Sequence, residues 1–129
     1  MDAPSGSDFN WVAARQKCSA PHVFKQLEKG AVSDVEARNR LREERGEGKI
    51  KFSVQADDTT FSVLVQGART GSVEFTLTGE MIVVTGHQVA VEFRATSTLT
   101  SDGKCRLTVD GHELEGWQVL RMALEPIFF

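Results

Sequence analysis

The chain has 129 residues, of which 40% are hydrophobic and 26% charged, the size and mix of one globular domain with a real core. A formal net charge of −3 argues against a nucleic-acid binder, which carries a basic patch. No apolar run approaches the roughly 20 residues of a membrane-spanning helix, so neither nucleic acid nor membrane is an expected partner.

The opening MDAPSGSDFN has neither the basic nor the apolar segment of a signal peptide. Residues 1–8 therefore read as a disordered lead-in to a single domain over 9–129. The expected location is the cytoplasm, with Cys18 and Cys105 as reduced thiols; a Cys18–Cys105 disulfide follows only if the protein is exported. Next, Phe9, Trp11, Ala13 and Arg15 alternate in a way that suits a first strand over 9–16. Ser19 is placed to cap a helix whose first turn tolerates Pro21, and Phe24, Leu27 and Ala31 follow at helical spacing. Gly30 interrupts that run, and Ser33 to Glu36 has the S-x-x-E form of a capping box. The reading is two helices, about 20–29 and 34–45, closed by Gly46 and Gly48.

From Lys49 to Asp110 the apolar residues recur with period two: Ile50/Phe52/Val54, Phe61/Val63/Val65, Val73/Phe75/Leu77, Val89/Val91/Phe93 and Cys105/Leu107/Val109. Turn signals separate them at Asp57-Asp58, Gly67 to Gly71, Gly79, Gly86-His87 and Asp102-Gly103. Connections this short permit hairpins but not parallel crossovers. With Met81–Thr85 this predicts an antiparallel meander of about six strands, or seven with residues 9–16. Asp110-Gly111 suits either a tight hairpin turn or the cap of the last helix. That helix is expected near 113–125, with Leu114, Trp117, Leu120 and Leu124 as its apolar stripe and Pro126 as its stop. The fold class is α+β: a meander packed against two N-terminal helices and one C-terminal helix.

The segment FNWVAARQKCSAPHVFKQL, a strand running into a helix through a Ser/Ala/Pro turn, and the order of elements after it resemble the START-like helix-grip superfamily. In that superfamily a curved sheet grips the last helix around an apolar cavity. The resemblance covers most of the chain as a pattern of elements and implies ligand binding without naming a ligand.

Side chains capable of chemistry are few. Cys18 and His22 could make a reactive thiol at a helix N-terminus with its base. The competing reading places Cys18 and Val23 at the two hydrophobic-staple positions around the Ser19 cap, with His22 exposed, and it is preferred because no third group orients the histidine. Cys105 lies in phase with Leu107 and Val109 and reads as a buried thiol. His87 falls in a turn, HELE at His112 lacks the second histidine of H-E-x-x-H, and no Cys/His spacing forms a metal site. Neither a phosphate loop nor a G-x-S-x-G elbow is present, and a helix-turn-helix around Gly30 would bury Lys25, Lys29 and Glu36.

No catalytic residue and no cofactor is therefore assigned. The expected function is a non-catalytic module that binds a small apolar ligand or a protein partner, through Phe52, Phe61, Phe75, Phe93, Trp117 and Leu120. The alternative is a helix-grip-type enzyme acting on a small hydrophobic substrate in an internal cavity. Two apolar segments, Met81–Val84 and the Ile127–Phe129 tail, are candidate homodimer contacts, with docking on the protein's own sheet as the competing account of the tail.

Overall fold

A computed structural model describes residues 9–46 and 49–129. The expected lead-in at 1–8 and the expected helix-closing Gly48 lie outside the described residues. The elements run α1 (Trp11–Lys17), α2 (Ala20–Glu44), β1 (Ile50–Ala56), β2 (Thr60–Gly67), β3 (Gly71–Thr78), β4 (Met81–His87), β5 (Glu92–Leu99), β6 (Cys105–Val109), β7 (His112–Leu114) and α3 (Gly116–Phe128). The seven strands form one sheet in the order β1-β2-β3-β4-β5-β6-β7, every neighbouring pair antiparallel. The α+β meander against helices is thus the fold of the chain, with β7 rather than residues 9–16 as the seventh strand.

One face of the sheet is apolar, as the period-two pattern requires. Phe52, Phe61, Val63, Val65, Val73, Phe75, Ile82, Val84, Ala95, Leu107 and Val109 are buried and share one core with α2 and α3. Helix α2 lies across β1 to β5, and α3 packs on β3, β6 and α2. The outer edge of β1 is closed by a side chain. Asn39 on α2 donates its amide to the Phe52 carbonyl (2.8 Å) and accepts from the Phe52 N–H (2.9 Å). That pairing satisfies one residue of an edge which would otherwise help to template another strand.

Several boundaries differ from expectation. The fifth strand runs Glu92–Leu99 rather than through Val89, Val91 and Phe93, since Val89 and Val91 lie in the turn that brings Val91 O onto the Gly86 N–H. Three helix boundaries also shift. Residues 11–17 are helical, not extended. Asn10 caps them by accepting from the Ala13 N–H at 3.0 Å, and Ala13, Ala14, Arg15, Gln16 and Lys17 are all good helix formers. Residues 20–44 are one helix, not two. Ala20, Val23, Phe24, Leu27, Ala31 and Val35 make a single buried stripe that runs straight through Gly30. The glycine costs about 1 kcal/mol of helix propensity. It also lets α3 approach, since a Cβ there would stand 2.6 Å from Leu120 Cδ1.

Helix α3 continues through Pro126, the expected stop. A proline inside a helix costs about 3 kcal/mol. Burying Ile127 and Phe128 beyond it returns about 1.5–3 kcal/mol each. The last carbonyls are also held: Arg69 donates to Ile127 O at 2.6 Å, and Arg38 donates through Nε and Nη2 to Phe128 O at 3.0 and 2.9 Å. Both arginines supply positive charge where the helix dipole is negative. At the other ambiguous point, Asp110 and Gly111 both take positive φ (50° and 80°), the pairing a type I′ turn needs, so a hairpin forms and α3 begins only at Gly116.

Candidate ligand groove

The two cysteines, expected as reduced thiols, are joined. Cys18 and Cys105 form a disulfide with their Cα atoms 5.4 Å apart, linking the α1–α2 junction to the start of β6. Cys18 is therefore not a free reactive thiol. The cap beside it is as expected, with Ser19 Oγ accepting from the His22 N–H at 3.4 Å and His22 exposed. Cys18 and Val23, the staple positions, are both buried. Cys105 departs from expectation. It is in phase with Leu107 and Val109 but lies at the open end of β6, exposed rather than buried.

The phenylalanines expected to face a ligand sit in a closed core. Phe61 and Phe75, directly opposite across β2 and β3, stack with centroids 4.3 Å apart. Phe24 tilts onto Phe61 at 5.2 Å, and Phe52 meets Phe128 edge-on at 5.0 Å. Phe93 is half-buried against the same core.

Trp117 and Leu120 are placed differently. They line an open groove of about 430 Å³ between α2, β6 and the start of α3. Its apolar wall is Val23, Leu27, Leu107, Leu120 and the Trp117 ring; Lys17, His22, Gln26, Ser33 and Asp34 edge it along α1 and α2, and Cys105 forms part of its β6 side. Gly30 and Gly116 also line it, and a Cβ on Gly116 would come within 3.8 Å of Leu27 Cδ2. Asp34, Trp117 and Leu120 also border a second groove of about 380 Å³, which continues between α2 and α3 past Leu41, Leu124, Phe128 and Phe129.

Trp117 stands between the two with 58% of its surface exposed. Its indole N–H donates to Glu115 Oε2 at 3.4 Å, and Glu115 Oε1 pairs with Arg106 at 3.2 Å, which steadies the ring from one side. An exposed tryptophan over a floor of buried leucines is a surface that gains by being covered.

The imidazole and the carboxylate that line the groove do not converge. His22 and Asp34 are twelve residues apart on α2, about 18 Å at the helical rise, which is too far to act on one reacting atom. Burial raises the Asp34 carboxyl above its ordinary value. Among the described residues no three His, Cys, Asp or Glu side chains gather as metal ligands.

The segments expected as dimer contacts are largely used within the chain. Ile82, Val84, Ile127 and Phe128 lie in the core, so the tail docks on the protein's own helices and sheet. Met81 and Val83 stay half-buried among their cross-strand neighbours Thr76, Thr78, Arg94 and Thr96. Phe129 is 81% exposed beneath the Arg38 guanidinium, 4.3 Å from its ring centroid. Among the described residues no helix is long and apolar enough to cross a membrane.

Trp117 and Leu120 were visible as members of a helical stripe. Lys17, Gln26, Gly30 and Gly116 were not, because they meet only once α1, α2 and α3 are packed. Compared with known proteins, the chain finds no matching family model, no significant match among curated proteins and none among solved structures.

Proposed function

We propose that the protein is a non-catalytic binding module whose ligand is a small apolar molecule held in the groove between α2, β6 and α3. The observation that carries this reading is Trp117, largely exposed over a floor of Leu27, Leu107 and Leu120 in a groove of about 430 Å³. That volume lies within the range of ordinary small-molecule sites, which are mostly apolar with a few placed polar groups. The Cys18–Cys105 disulfide suits an oxidising compartment better than the cytoplasm expected from the sequence.

Chemical-shift mapping tests the reading. Titrating decan-1-ol into isotopically labelled protein should give saturable shifts at Leu27, Gly30, Leu107 and the Trp117 indole. Shifts that never saturate, or that gather elsewhere, would refute it.

A further inference from the structure

We propose that the groove selects an amphiphile with an anionic head, seated against Lys17 and His22 with its apolar chain running along α2 toward Trp117. This rests on the groove being a ligand site, and adds the chemical class of the ligand. The evidence is the order of groups along the groove. At one end stand the Lys17 ammonium, which has no ion pair among the described residues, and the His22 imidazole, a ring N–H donor. The N-terminal end of α2 adds partial positive charge there. The middle is Val23, Leu27, Leu107 and Leu120. The carboxylate on the lining, Asp34, is about 18 Å farther along α2, where a head group seated at Lys17 does not reach it. Glu115, the nearby rim carboxylate, is occupied by Arg106 and Trp117.

A site that is positive at one end, with an apolar floor and with Arg106 on its β6 side paired to Glu115, complements a single-chain anion. The disulfide bears on the positive end directly. Cys18 follows Lys17 in the chain, and its partner Cys105 lies on the groove, so the bond holds the lysine-bearing end of α1 at the groove's mouth. Nothing else on α1 itself is buried.

Calorimetry on the oxidised protein at low salt tests this, with decanoate and decyltrimethylammonium kept below their micelle concentrations and decan-1-ol below its solubility limit. Decanoate is expected to bind about tenfold more tightly than decanol, and the preference to shrink as salt screens the charges. In a Lys17→Gln/His22→Gln variant, the decanoate advantage over decanol should fall to about twofold or less, with decanoate losing far more affinity than decanol. Retained decanol binding also shows that this variant is folded. Reduction of the disulfide should likewise erode the decanoate advantage more than the decanol affinity.

Equal affinity for decanoate and decanol, or preference for the ammonium, would overturn the anionic assignment and leave the groove itself intact. Absence of saturable binding by all three would remove the groove reading, and this inference with it. Free amphiphile and membrane lipid share the same head chemistry, and the proposal commits to the free molecule. Co-sedimentation with anionic phosphatidylglycerol vesicles should leave the protein in solution. Capture by vesicles without binding of monomeric decanoate would overturn it.

Discussion

At the scale of residues, the two kinds of aromatic in this molecule have opposite duties. Phe61 is fully buried between Phe24 and Phe75, so Phe61→Ala should cost about 3–5 kcal/mol in a urea-unfolding experiment. Trp117 is mostly exposed, and Trp117→Ala should leave stability within about 0.5–1 kcal/mol while removing most ligand affinity. Equal losses of stability would mean that Trp117 belongs to the core and not to a site. Asp34 gives a pH signature. Its folded carboxyl is raised by burial, so the folded state binds this proton more readily than the unfolded state does. The charged form therefore lowers stability at neutral pH, and the penalty is relieved as pH falls through the folded pKa. Asp34→Asn should raise the urea midpoint at pH 7 and lose that advantage in acid, a small effect because the side chain still reaches solvent. A benefit that persisted unchanged at pH 3 would contradict the desolvation account. The sequence showed which aromatics are apolar stripe members, but not which of them would be left uncovered. Trp117 and Leu120 share a predicted stripe, yet α3 turns Val119, Leu120, Ala123 and Leu124 inward and leaves the indole at the rim.

At the scale of elements, most strands were legible and helix ends were not; β5 was read through Val89, Val91 and Phe93 but runs Glu92–Leu99, and β7 was one of two readings of Asp110-Gly111. Each strand carries its own evidence, because alternation and the flanking turn residues are local. Helix ends here are decided by burial at a distance. Gly30 and Pro126 are breakers by local rule, but the Leu27-Ala31-Val35 spacing and the burial of Ile127 and Phe128 outweigh them. The first of these was readable in principle, since the stripe keeps phase across the glycine. The second was not, because it depends on Arg38 and Arg69 meeting the last carbonyls from other elements. It follows that Pro126→Ala, at an exposed position, should stabilise the protein by about 1–3 kcal/mol, read as a rise in urea midpoint. Destabilisation would show that the proline's fixed geometry is needed to aim Ile127 and Phe128.

At the scale of the whole molecule, the Cys18–Cys105 bond joins parts that are 87 residues apart and draws α1, which buries nothing itself, onto the domain. On the chain-entropy account, closing a loop of that length stabilises the fold by about 4–5 kcal/mol. A Cys18→Ser/Cys105→Ser variant should lose an amount of that order, with hydrogen exchange speeding most in α1; uniform speeding across the sheet would contradict the picture of a locally tethered helix. The pairing depends on where two distant elements end, so the spacing of the cysteines did not disclose it. The groove is equally a property of the assembled molecule, with walls from α2, β6 and α3 and a mouth at the disulfide. Its use as a binding site is most directly tested by fluorescence of a Trp11→Phe variant, in which Trp117 is the one remaining tryptophan. Titration with decanoate should give a saturable blue shift with one molecule bound per chain, abolished by Leu120→Glu in a protein that still unfolds cooperatively. An emission maximum that does not move through the titration would contradict the account.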